Sequence, residues 1–278
     1  MKPRRKAFWT AAALFSAGAV LFPLSRDAGV ADSAGTPEPP WESELRPRMP
    51  RTDALLELGQ KAYGRNCAVC HGEKGDGRSD AAEFMDLKPR DFLAGSVKVK
   101  STPPGSLPSD EDLFRTISAG FPEYGMPSYR YLSVEERWGL VHVLKDFMKA
   151  SGRKEGEALD LGAPPPGPPD LGRGREKYMA FGCAACHGDS GGGDGPLARY
   201  FPGTFLDARG STAAPRNLTL GPYAFKSGGS QRDIVRALAT GFEGTRMASY
   251  IPALGPGGDR SPLWEIAAYV HSLSRDKR

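Results

Sequence analysis

Cysteine and histidine are scarce in this chain. Its 278 residues include four of each. No cysteine precedes Cys67, so no thiol is available for a lipid at the N-terminus. Strand-like alternation of apolar and polar residues is also lacking, which leaves no basis for an extensive sheet. The charge excess is equally local. Net charge is +4. Lys2, Arg4, Arg5, Lys6 and Arg26 supply positive charge within the first 31 residues, and Asp27 takes one back, so the remainder sums to about zero. That removes the electrostatic case for a nucleic-acid partner. Against these absences, glycine (35) and proline (25) are abundant, as expected of many turns and short elements.

The N-terminus reads as a targeting segment, residues 1–31. A basic start is followed by the uncharged apolar run Ala7 to Leu24 and by small residues from Ala28 to Gly35. The run is long for a signal peptide and short of the roughly 20 residues of a membrane span. It is either cleaved near Ala31 or kept as an anchor through residues 7–24. Both outcomes give an exported, periplasmic protein, soluble or tethered to the inner membrane. Residues 32–51 read as a tether. A second break at 151–169 contains Ala163-Pro-Pro-Pro-Gly-Pro-Pro169, a semi-rigid polyproline spacer. The chain is thereby divided into 52–150 and 170–278.

These two parts are repeats. Cys67-Ala-Val-Cys-His71-Gly matches Cys183-Ala-Ala-Cys-His187-Gly. Gly75-Asp-Gly77 matches Gly193-Asp-Gly195, and Pro89-Arg90 matches Pro215-Arg216. Asp112 to Phe121 matches Asp233 to Phe242, Met126-Pro-Ser-Tyr129 matches Met247-Ala-Ser-Tyr250, and Trp138 matches Trp264. Each half is expected to be helical, with helices at about 53–63, 109–118 and 133–149, then 171–181, 230–240 and 261–274. Ser133-Val-Glu-Glu136 is a capping-box pattern. So small a domain with so few elements needs a large apolar object to pack around.

Cys-x-x-Cys-His, present twice, is the strongest chemical signal. Two sulfurs on one helical turn can reach both vinyl groups of one haem, and the adjoining histidine then becomes an axial ligand of the iron. Zinc would want cysteine pairs much closer together than these. A thioredoxin-like pair would want a preceding strand. For the second axial ligand, His142 and His271 occupy non-equivalent places in the closing helices. Met126 and Met247 occupy the same place, in a loop five residues after an aligned Gly-Phe. They are the candidate distal ligands. Met85, Met148 and Met179 have no counterparts and read as core.

Each half resembles a class I cytochrome c domain, and the whole resembles tandem dihaem cytochromes c over about 51–150 and 170–278. The resemblance implies an all-α fold of two tandem cytochrome c-like domains, each about three main helices around a covalent haem c. It implies two haem c groups, attached through Cys67, Cys70, Cys183 and Cys186. The axial pairs are His71 with Met126 and His187 with Met247. It implies that the carbonyls of Pro89 and Pro215 hold the ligand histidines, and that Gly59 and Gly174 let the first helix cross close to the last, near Trp138 and Trp264. Arg90 and Arg216 either approach a haem propionate or stay solvated. The expected function is electron relay between exported or membrane-bound redox proteins, without catalysis. The alternatives are a dihaem peroxidase, or the haem subunit of a dehydrogenase or oxidase complex.

Overall fold

The computed structural model describes residues 43–45, 48–221, 225–255 and 257–273. The targeting segment 1–31 and most of the tether 32–51 lie outside the described residues. Among the described residues the chain is helical, without a strand, and two isolated bridges (Phe121 with Met126, Leu206 with Thr212) are the extended pairings. No described helix is long and apolar enough to cross a membrane.

The first half opens with α1 (Asp53–Asn66), started by the Thr52 hydroxyl, which accepts from Leu55 N at 3.1 Å. The short turns α2 (Ala68–His71) and α3 (Asp80–Glu83) follow. Next come α4 (Asp110–Ala119) and α5 (Val134–Met148). Ser109 with Asp112 and Ser133 with Glu136 form complete capping boxes, which fix the starts of α4 and α5. In the second half α6 (Leu171–Ala180) is capped by Asp170, and α7 (Cys183–His187) carries the second motif. The remaining elements are α8 (Pro196–Tyr200), α9 (Gln231–Thr240), α10 (Ile251–Leu254) and α11 (Ser261–Leu273). Ser230 and Asp233 repeat the capping box at α9.

In each half the first helix packs across the last, α1 on α5 and α6 on α11. Glycine makes both crossings possible. A Cβ on Gly59 would lie 2.2 Å from the Gly139 carbonyl, and one on Gly174 would lie 2.4 Å from the Glu265 carbonyl. Backbone therefore touches backbone. Trp138 and Trp264 are buried in the two apolar clusters built on these crossings. The first cluster adds Tyr63, Phe114 and Ile117, and the second adds Tyr178, Ile234 and Leu238. Burying side chains of this size supplies about 1.5–3 kcal/mol each.

The expected spacer is packed along part of its length. Leu107 N donates to Lys154 O at 2.9 Å and Leu159 N to Ser101 O at 2.8 Å, which holds the start of the segment on the first half. Two residues on, Leu161 is buried in the second cluster, and its carbonyl accepts from Trp264 Nε1 at 2.8 Å. The halves also meet directly. Lys98 pairs with Asp207 at 2.7 Å and Lys100 with Glu243 at 2.7 Å, all four side chains largely buried.

Candidate functional site

Both Cys-x-x-Cys-His motifs sit on helical turns that follow the first helix of their half. Cys67 N donates to Tyr63 O at 2.8 Å and His71 N donates to Cys67 O at 2.8 Å, so cysteines and histidine share one turn. Tyr63 and Tyr178 hydroxyls each donate to the glycine carbonyl after the histidine, Gly72 O and Gly188 O, at 2.7 Å. The four cysteines are unpaired. Burial, with a contribution from Cys70, pushes the Cys67 thiol up to about 12. Burial pushes Cys183 up to about 11. Both are neutral thiols at pH 7.

Burial lowers the pKa of both His71 and His187, so each imidazole is neutral at pH 7. Each Nδ1 meets a backbone carbonyl, Arg90 O at 3.0 Å and Arg216 O at 2.8 Å. A carbonyl only accepts, so Nδ1 carries the proton and Nε2 keeps its lone pair for a metal. The sequence expectation named the carbonyls of Pro89 and Pro215, and the structure corrects it by one residue. The Pro89 carbonyl faces the Gly77 turn and accepts from the Arg209 guanidinium, and the Pro215 carbonyl faces Gly193. In this extended segment consecutive carbonyls point opposite ways, so the next one turns to the ring. The prolines hold the segment's shape while the arginine backbone makes the bond.

The two methionine loops are built alike. Phe121 N donates to Met126 O at 2.7 Å and Phe242 N to Met247 O at 2.8 Å. Gly120 and Gly241 start both loops at positive φ, where a Cβ would strike the methionine-side backbone. Ser128 and Ser249 hydroxyls donate to Ser118 O at 2.7 Å and Ala239 O at 2.5 Å. Tyr129 donates to Asn66 O at 2.9 Å, next to Cys67, and the Tyr250 hydroxyl bonds the Cys183 thiol. The two tyrosines thus tie the methionine loop to the cysteine turn. No role follows for them from sequence, although the shared Met-x-Ser-Tyr spacing carries the signal.

One cavity of about 660 Å³ receives both sets. The first half brings Cys70, His71, Pro89 and Met126 to its wall. The second brings Cys183, Cys186, His187, Pro215 and Met247. Cys67 packs instead against the first apolar cluster. Met85, expected in the core, is half-buried on the cavity wall, with its methyl 3.7 Å from where a Gly125 Cβ would stand. His142 is buried, and its Nε2 bonds Met49 O at 3.0 Å, away from the cavity.

The cavity wall is apolar but its charge is one-sided. Among the described residues Lys88, Arg90, Lys98, Arg216, Lys226 and Arg246 line it, against one carboxylate, Asp207. Burial and the neighbouring cations Lys98 and Arg90 bring Lys226 down to about 8. Burial likewise lowers Arg90. Arg216 Nε is buried without a hydrogen-bond partner among the described residues. Buried cations in surplus call for an anion. A flat apolar macrocycle with carboxylate side chains is such a ligand, and the residues present fit haem.

Known proteins agree. Residues 54–142 match the family model described as cytochrome C oxidase, cbb3-type, subunit III. The chain is 27% identical over 217 residues to the Cbb3-type cytochrome c oxidase subunit FixP of Azorhizobium caulinodans, covering 77% of this chain and 58% of that protein. It is 27% identical over 221 residues to subunit CcoP of Azospirillum sp. (strain B510), covering 79% and 62%. The chain thus spans about three fifths of the length of these curated relatives. A chain of the Kuenenia stuttgartiensis reducing HAO-like protein complex Kustc0457/Kustc0458 superposes with TM-score 0.69 and 37% identity, covering 78% of this chain and 96% of that one. The chain is a c-type cytochrome, all-α in fold. Its cofactor is haem c.

Proposed function

We propose that this cytochrome holds two haem c groups, one in each of the domains 52–150 and 170–278, and relays electrons through both within a redox complex. One observation carries the reading: two equivalent constellations of motif, histidine-holding carbonyl and methionine loop open on one apolar cavity with surplus positive charge. Cys67 and Cys70, then Cys183 and Cys186, attach the groups as thioethers. Haem, when bound, supplies an iron that alternates between ferric and ferrous. His71 and His187, fixed as Nδ1–H tautomers by the Arg90 and Arg216 carbonyls, would offer Nε2 to the iron. Met126 and Met247 would each offer a thioether sulfur to the iron, a ligand that favours its reduced form. The apolar wall excludes water, while Arg90, Arg216 and Lys226 offset propionate charge.

The resemblance to FixP and CcoP favours a place as the electron-transfer subunit of a membrane oxidase assembly over a free carrier. The N-terminal segment 1–31 supports export to the periplasm, with release or tethering to the inner membrane. A peroxidase needs an iron with an open distal face, and a methionine loop at each motif counts against that. Near-infrared absorption and electron paramagnetic resonance of the purified holoprotein test the proposal. Two low-spin haems with the sulfur–iron band are expected, with Met126→Ala and Met247→Ala each removing the band of one haem. A stable high-spin haem with peroxide turnover would overturn the relay.

A further inference from the structure

The two methionine loops are held from outside their own halves. In the second half, Glu243 follows Phe242, the residue whose N–H closes the loop on Met247. Among the described residues its carboxylate is held by the first half and by the start of the 151–169 segment packed on it. Lys100 Nζ donates to Oε2 at 2.7 Å, the Arg153 guanidinium pairs with Oε1, and Gly105 N approaches Oε2 at 3.4 Å. The Lys100 side chain is 1% exposed and that of Glu243 16%. Lys100 is itself fixed by Ser106 O at 2.7 Å. A buried pair of this kind is costly to break from one side, because the other charge is left stranded.

The reverse grip runs from the second half to the first. Lys226 Nζ stands 4.1 Å over the Tyr124 ring and 4.9 Å over the Phe121 ring. Phe121 closes the Met126 loop, and Tyr124 lies within it. The Arg216 guanidinium carbon is 5.7 Å from the Tyr124 centroid, and the carbonyl of the same arginine holds His187. Contacts between a cation and an aromatic face are worth about 0.5–2 kcal/mol, the upper end when desolvated. They act here on two rings of the loop that leads into Met126.

We propose that each half positions the distal methionine of the other: Lys100 and Arg153 set the Met247 loop through Glu243, while Lys226 and Arg216 set the Met126 loop through Tyr124 and Phe121. The inference rests on Met126 and Met247 being axial ligands. Its consequence is that neither haem site is complete in an isolated half, so a change of ligation at one site is felt at the other. These are positioning residues, since none of them touches the iron.

The test uses the full-length holoprotein. Lys100→Met should weaken or abolish the sulfur–iron band of the second haem and lower that haem's potential, and Lys100→Arg should restore both. Lys226→Met should act on the first haem. Lys100→Met combined with Glu243→Met removes both charges, so it leaves no stranded carboxylate to unfold the chain. It should still lose the second haem's band, with helical circular dichroism intact. If the double variant folds and keeps both band and potential, the cross-half positioning is wrong. Met247→Ala separates the two claims: if that change spares the band, the ligand assignment fails. If it removes the band while the Lys100 variants do not, only the positioning fails.

Discussion

The two halves keep the same parts at the cavity and differ elsewhere. The Tyr63 and Tyr178 bonds, the Arg90 and Arg216 carbonyls on the histidines, and the Phe121 and Phe242 N–H bonds to the methionine carbonyls recur in both halves. Away from the cavity the details drift. Both crossings need a glycine on the first helix, but Gly59 faces another glycine, Gly139, whereas Gly174 faces Glu265. Trp264 donates to Leu161 O, whereas Trp138 Nε1 is buried without a partner among the described residues. On the cavity wall itself the backbone bond is kept while the side chain changes: Phe92 stacks on the His71 ring at 4.6 Å, and Leu218 stands in its place in the second half. What the comparison teaches is that bonds ending at the cavity are duplicated. Packing bonds are met by whatever each half supplies.

Three changes can break or sharpen that comparison. The largest effect belongs to the helix crossings. Gly59→Ala places a Cβ 2.2 Å from the Gly139 backbone, with no flexible side chain to yield. It should cost at least about 1–3 kcal/mol and unfold the first half before the second, seen as two transitions in thermal unfolding. A single unchanged transition would contradict the crossing. The tryptophans come next. Trp264→Phe strands the Leu161 carbonyl, whereas Trp138→Phe removes a donor that has no partner. Trp264→Phe should therefore be more destabilising by about 1 kcal/mol in denaturant melts. Equal costs would mean that the Leu161 bond contributes nothing.

The smallest and broadest effect is that of acid. Burial pushes Asp207 and Glu243 up, but their bonds to Lys98, Lys100 and Arg153 more than reverse this, so both end below the usual carboxylate range. A depressed carboxylate contributes stability that is present above its unfolded pKa, about 4, and lost as pH falls through the folded value. The melting temperature of the native chain should drop below about pH 4 more steeply than that of an Asp207→Asn, Glu243→Gln variant. Parallel curves would show that the two pairs do not govern acid stability.

Much of this was legible in the sequence. The helices begin and end within a few residues of expectation, and α5 starts at the capping box that Ser133 and Glu136 announce, because caps and periodicity are local signals; the boxes at Ser109 and Ser230, which use Asp, emerge from the structure. The duplicated motifs marked residues that reach the cavity, with Cys67 the exception, since it packs on the first apolar cluster. The histidine-holding carbonyl was misplaced by one residue, because a proline marks an extended segment without stating which carbonyl turns inward. The meeting of the halves was not legible. Glu243 pairs with Lys100 across 143 positions, and no periodicity reports such a contact. The only trace was that the two methionine loops differ, with Pro122 where the second half has Glu243. Met85 looked like core because it has no partner in the repeat, yet it stands on the cavity wall.

The central claim is two covalent haems on one chain, each belonging to its own motif. The intact mass of the holoprotein under denaturing conditions tests it most directly. The native chain should weigh the polypeptide plus two haems. The Cys67→Ser, Cys70→Ser variant and the Cys183→Ser, Cys186→Ser variant should each carry one haem, which keeps its low-spin spectrum. A native chain carrying a single haem, or a double-serine variant that still carries two, would contradict it.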